Sequence, residues 1–121
     1  MMKTKIFVVA LLAIVVGLGA CRRRSSDRDI LTFSTPYIHP VTGANETMNW
    51  NVDQNNRTIV SERFFPKGTA LNLVPTITHS GVEIRPASGE RQNFANPVEY
   101  TVTAEDGSTK VYTATATVAT E

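Results

Sequence analysis

A single cysteine, Cys21, stands among 121 residues, so no intrachain disulfide can staple the fold and any core must close by packing. The two histidines, His39 and His79, lie forty residues apart. That leaves neither an H-x-x-x-H nor a C-x-x-C spacing, and no structural metal is expected. The D-x-[DN]-x-[DN]-G pattern of a calcium loop is missing, as is any glycine-rich phosphate cradle, and no cofactor is expected. An excess of one charge is missing too. Without residues 1–20, which hold Lys3 and Lys5, ten basic residues face eleven acidic ones. The basic footprint of a nucleic-acid binder is therefore absent, and no nucleic-acid partner is expected.

The N-terminus is where the unusual features gather. "MMKTK" is a short basic head, followed by fifteen uncharged residues from Ile6 to Ala20. As a helix this run would reach about 22 Å, short of the ~30 Å needed to span a bilayer core. A basic head, an apolar run and small residues before a cleavage point match a secretory signal over 1–20. Leu18-Gly19-Ala20-Cys21 resembles the lipobox of bacterial lipoproteins. The resemblance implies a diacylglycerol thioether on Cys21, which becomes the new N-terminus and takes membrane lipid as its partner. Two or more acyl chains hold firmly where one is marginal. Residue 22 is arginine rather than aspartate, which by the rule known for enteric lipoproteins points to the outer membrane or cell surface. "RRRSSDRD", Arg22 to Asp29, has no apolar residue and reads as a solvated, flexible tether over 21–29.

From Ile30 to Glu121 the pattern changes to short β-branched and aromatic runs between turn residues. No 3.6-residue period is sustained there, so the expected class is all-β. Expected strands are Leu31–Ile38, Met48–Asp53, Arg57–Phe65, Pro75–His79, Val82–Arg85, Val98–Ala104 and Thr109–Val118. This spacing suits a sandwich or barrel of about seven strands after the signal helix. Pro66, Pro75, Pro86 and Pro97 each lack a ladder donor and belong at edges or turns.

Two hairpins carry definite registers. Asn55-Asn56 suits a two-residue type I′ turn pairing Val52 with Ile59 and Trp50 with Ser61. Met48, Trp50, Val52 and Ile59 then share the inner face, and Trp50 reads as core. In "VEYTVTAEDGSTKVYTATATV" a two-residue Asp106-Gly107 loop would put the apolar residues of the two strands on opposite faces. A three-residue loop, Glu105-Asp106 with Gly107 left-handed as a bulge, sets Tyr100 opposite Tyr112 and Val98 opposite Ala114. Adjacent Phe64 and Phe65 cannot both face inward on one flat strand. "GERQNFAN" follows neither period.

Five stretches carry a second resemblance: Gly68-Thr69-Ala70-Leu71, Pro75-Thr76-Ile77, Ser80-Gly81, Pro86-Ala87-Ser88-Gly89 and the thirteen residues Asn96–Ser108. They resemble immunoglobulin-like domains of surface lipoproteins from Gram-negative gut-type bacteria. About half of the mature chain carries the likeness well, and Ile30–Pro66 loosely. It implies a two-sheet sandwich of seven strands and no catalytic residues. Against that pattern Ala114 and Ala116 are small, which would leave the last strand an underpacked edge.

No chemistry-bearing constellation stands out. His79-Ser80-Gly81 is no G-x-S-x-G elbow, and Glu99 and Glu105 read as solvated carboxylates rather than a hydrolytic pair. Asn45-Glu46-Thr47 and Asn56-Arg57-Thr58 fit glycosylation sequons, discounted by the bacterial host a lipobox implies. Tyr37, Phe64 and Phe65 are the candidate ligand surface, since flat aromatics suit sugar faces. The expected function is a lipid-anchored, non-enzymatic immunoglobulin-like spacer or interaction module with a protein or glycan partner. The alternative is a glycan-binding accessory lipoprotein of a polysaccharide-uptake system.

Overall fold

The structure is a computed structural model and describes residues 24–120. The expected signal segment 1–20 and Cys21 lie outside the described residues. Nine strands follow: β1 (Ile30–Ile38), β2 (Asn45–Asp53), β3 (Thr58–Ser61), β4 (Asn72–Leu73), β5 (Thr76–His79), β6 (Glu83–Arg85), β7 (Gln92–Asn93), β8 (Val98–Thr103) and β9 (Thr109–Thr115). Seven form one ladder in the order β5-β1-β2-β3-β9-β8-β6, while β4 and β7 pair separately.

The ladder is folded over on itself. Asn45–Asn49 of β2 pair with β1, whereas Trp50–Asp53 pair with β3, so β2 passes from one layer to the other. Strands β1 and β8 are four places apart, about 19 Å on a flat sheet at ~4.8 Å per strand. Yet the rings of Phe33 on β1 and Tyr100 on β8 lie 5.4 Å apart. The two can meet only face to face. The chain is an all-β sandwich, as its alternation implied.

Between the layers sits an aromatic core. Phe33 meets Trp50 at 5.1 Å and Phe94 at 6.1 Å, and Trp50 meets Phe65 at 5.9 Å. The alternating sets of the last hairpin, Tyr100, Val102, Ala104, Tyr112 and Ala114, are all buried. Tyr100 pairs with Tyr112 and Val98 with Ala114. Gly107 has φ 90, and its N–H donates to Ala104 O, which closes the three-residue loop on a left-handed glycine as expected. The indole N–H of Trp50 donates to Thr35 Oγ1 at 3.0 Å, both residues being buried. Replacing Thr35 with Val leaves that N–H unpaired and should lower the unfolding free energy by about 1–3 kcal/mol in a denaturant melt.

The first hairpin keeps its expected register, Trp50 with Ser61 and Val52 with Ile59, but not its expected turn. Among the described non-glycine residues only Arg57 has positive φ, at 58, so Asn55-Asn56 do not form a type I′ loop. The Asp53 carboxylate explains why. It accepts from the N–H groups of Asn55 and Asn56, each at 3.0 Å, and stabilises a four-residue loop with Arg57 at its close. These bonds, from Asn56 first, hold the Asp53 pKa below its ordinary 3.8, and Ser108 does the same for Asp106 in the other hairpin. Carboxylates shifted down stabilise fully above their unfolded pKa and lose that contribution as pH falls through the lower folded value. Both hairpins should therefore loosen in acid, with a thermal midpoint that falls below about pH 4 and falls less in Asp53→Asn.

Other boundaries depart from expectation for packing reasons. The strand expected over Arg57–Phe65 ends at Ser61. The chain then bends, leaving Phe64 66% exposed and Phe65 fully buried, with Phe65 bridged to Val118. The bend resolves the Phe64–Phe65 conflict. The final strand is no edge: β9 lies between β8 and β3, where Ala114 pairs with Val98 on one side and, in parallel, with Ile59 on the other. Part of "GERQNFAN" becomes β7, and Phe94 enters the core.

Ser25–Asp29, expected as solvated tether, is hydrogen-bonded to the domain. Ser25 N–H donates to Glu105 Oε1 at 2.8 Å, and Ser25 O accepts from Asp106 N–H at 3.0 Å. Asp29 exchanges bonds with Ser80, donating to its Oγ at 2.9 Å and accepting its N–H at 2.9 Å. Asp29 Oδ1 also pairs with Lys110 Nζ at 2.9 Å. Burial disfavours the Lys110 charge, but the bonds to Asp29 and Tyr112 outweigh it and raise the pKa. The strap thus gathers at one end of the sandwich with the β2–β3, β5–β6 and β8–β9 turns. The β1–β2 turn, Phe65 and Val118 lie at the far end.

Candidate functional site

At the far end β1 runs out through Pro36, Tyr37 and Ile38, and β2 begins at Asn45, opposite Ile38. The turn between them is closed by its own hydrogen bonds. His39 N–H donates to Ala44 O at 2.9 Å, Gly43 N–H donates to His39 O at 2.8 Å, and His39 Nδ1 accepts from Val41 N–H at 3.1 Å. Gly43, at φ 74, supplies the left-handed residue such a turn needs. Beside it lies the small sheet, Asn72 pairing with Asn93 and Leu73 with Gln92. Arg91 Nη1 donates to Asn72 O at 2.9 Å, fixing the guanidinium at the rim.

These segments enclose an open groove of about 440 Å³. Its apolar wall is Pro36, Ile38, Ala70 and Val74, and Asn45, Asn72 and Arg91 bring hydrogen-bonding groups. Ile38 is 61% exposed and presents a branched aliphatic surface to the groove. The phenol of Tyr37 donates to Glu46 Oε1 at 2.7 Å. That bond, then burial, raises its pKa above the ordinary tyrosine value, so the phenol stays neutral at physiological pH. Apolar wall, amide groups and one guanidinium suit the reversible recognition of a polar ligand with an apolar face. Among the described residues, no three His, Cys, Asp or Glu side chains gather to hold a metal ion.

The three aromatics nominated by the sequence do not form one platform. Tyr37 and Phe65 are core residues, their rings edge to face at 5.1 Å, and only Phe64 reaches solvent. Tyr37 continues the inward face of Phe33 and Thr35 on β1, and Phe65 turns inward past the bend that follows Ser61, so two rings that sequence reading placed outside are buried. Of the three, Tyr37 still borders the groove. The reading missed Asn72 and Arg91, which lie in segments too short to show any period. Asn45 entered it only as part of a discounted sequon.

A second recess of about 360 Å³ lies at the strap end and is almost wholly polar, with Asp27, Asp29, Gln54, Arg57 and Lys110 among its walls. Its groups are largely committed to one another: Lys110 Nζ donates to both Asp29 Oδ1 and Gln54 Oε1, and Gln54 Nε2 donates to Ile30 O at 2.7 Å. Tyr112 OH donates to the same Gln54 Oε1. This cluster clasps the start of β1 to β9 across the sandwich.

No curated protein matches the chain. Among solved structures, a candidate glycoside hydrolase from Bacteroides thetaiotaomicron is 30% identical, with a TM-score of 0.58 over 81% of this chain and 27% of that one. The chain thus spans about a quarter of that protein's length. A candidate secreted protein (BF4250) from Bacteroides fragilis is similar in fold, at 18% identity and TM-score 0.54 over 77% of this chain and 96% of that one. The family described as "SGBP, N-terminal" matches residues 30–116, from the first residue of β1 to just past the end of β9, and the chain belongs to that family.

Proposed function

We propose that the chain is a lipid-anchored, non-enzymatic surface module that contacts glycan through the far-end groove. Reading SGBP as surface glycan-binding protein, the family supplies the ligand class, and the groove supplies the observation that carries the reading. Sugars present an apolar C–H face ringed by hydroxyls. Ile38 and Pro36 meet the first requirement, and Asn45, Asn72 and Arg91 the second. The lipobox at Leu18–Cys21 supplies the anchor, on the outer membrane or cell surface.

A polysaccharide array probed with the detergent-solubilised protein tests the glycan contact. Binding is expected, and Arg91→Ala should weaken it about tenfold, the equivalent of ~1.4 kcal/mol, within the range for a hydrogen bond from a charged donor. An array with no binding by the folded protein would overturn the contact. Cys21→Ser should abolish lipid labelling and release the protein from the membrane fraction; unchanged retention would overturn the anchor.

A second reading, a spacer that makes no ligand contact, is favoured by one observation. The N-terminal strap and residues 117–119 lie at opposite ends of the sandwich, the latter bonded to Phe65. A body entered at one end and left at the other sets distance.

A further inference from the structure

We infer that the docked strap orients the sandwich on the bilayer, with its β2–β3, β5–β6 and β8–β9 turns toward the lipid surface and the groove facing away. The inference rests on the acylation of Cys21 proposed above. A flexible tether of nine residues would leave the domain free to tumble, and the bonds of Ser25–Asp29 remove most of that freedom.

Two separate turns grip the strap. Ser25 bridges two residues of the β8–β9 turn through its N–H and C=O, and Arg28 Nη1 donates to Ser108 Oγ at 3.2 Å. Asp29 is held by Ser80 in the β5–β6 turn and by Lys110 on β9. A segment fixed at one point can swivel; fixed at two, it has a direction. Only Arg22, Arg23 and Arg24 separate Cys21 from Ser25. Fully extended, that stretch reaches about 14 Å, so the β8–β9 turn stays within that distance of the acylated residue. The nine-residue β1 then carries the chain about 30 Å along the sandwich to the groove, at ~3.3 Å per residue. A domain held so closely by one end cannot stand on its far end, about 30 Å away at ~3.3 Å per residue of β1, without breaking the grip. The arginines next to the lipid add attraction to anionic head groups, each ~1 kcal/mol near such a surface.

The test uses the full acylated chain in phosphatidylethanolamine–phosphatidylglycerol vesicles carrying a nitroxide on the lipid head group. The Cys21 sulfur is blocked by its thioether, so a new thiol can be labelled alone. Asn55→Cys places a fluorophore at the strap end and Val41→Cys places one at the far end, both positions being exposed. The Asn55 label should lose most of its emission while the Val41 label keeps most of its own. In the Asp29→Ala/Ser80→Ala background, which weakens the second grip by removing the Ser80 Oγ bond and the Lys110 pair, the difference between the two labels should narrow. Equal quenching in the acylated wild-type background overturns the orientation and leaves the anchor standing. Protein that carries no lipid by mass spectrometry overturns the anchor and the orientation together.

Discussion

Phe33→Ala should lower the unfolding free energy by about 3–5 kcal/mol, a large share of the ~5–15 kcal/mol typical of a whole domain. The side chain is 2% exposed. Its ring is edge-on or nearly so to three others contributed by different parts of the chain: Trp50 on β2, Phe94 just after β7 and Tyr100 on β8. Truncation forfeits the buried area, the favourable edge-to-face pairs and the mutual support of rings that cannot collapse into the space without leaving their own rotamers. A urea melt followed by circular dichroism measures the loss. Phe64→Ala, at an exposed ring on the same scale of size, should stay within about 0.5 kcal/mol of the parent. A Phe33→Ala loss below about 1 kcal/mol would mean that the two layers are not joined through this cluster.

The Phe33 cluster also shows what was legible in the chain before its structure. Met48, Trp50, Val52 and Ile59 alternate strictly, as do Val98, Tyr100 and Val102. Period-two alternation states which side chains point inward, so registers follow once loop parity is settled. That argument placed Tyr100 opposite Tyr112 and Trp50 opposite Ser61. It says nothing about loop conformation, which in the first hairpin turned on one carboxylate, Asp53, binding the backbone of the next turn. It is silent, too, about pieces shorter than its own period. Strands β4 and β7 have two residues each, and Phe94, the third partner of Phe33, follows one of them directly. The groove is built largely from those pieces. Sequence reading could reach the layers, but not the short segments that close the far end.

Gly81→Ala should be the most damaging of the small substitutions, at about 1–3 kcal/mol. The reason is proximity rather than backbone freedom. A Cβ there would lie 2.5 Å from the carbonyl oxygen of Thr103 and 2.6 Å from Val102 Cγ1, and neither can swing away: one is strand backbone and the other is a fully buried side chain. The same carbonyl accepts the N–H of Val82 at 2.8 Å, so relieving the clash detaches the turn from the end of β8. Ser80, which holds Asp29, sits on that turn. The substitution should therefore lower the thermal midpoint and, below the melt, speed amide exchange at Asp29, whose N–H is bonded to Ser80 Oγ. Gly107 is the instructive contrast. Its φ of 90 favours glycine, but nothing lies within 4 Å of an added Cβ, so Gly107→Ala carries only the left-handed strain of about 1–2 kcal/mol and should leave Asp29 exchange unchanged. If Gly81→Ala melted with the parent and kept the slow Asp29 amide, the β5–β6 turn would not be seated on β8, and the strap would have lost its second point of attachment.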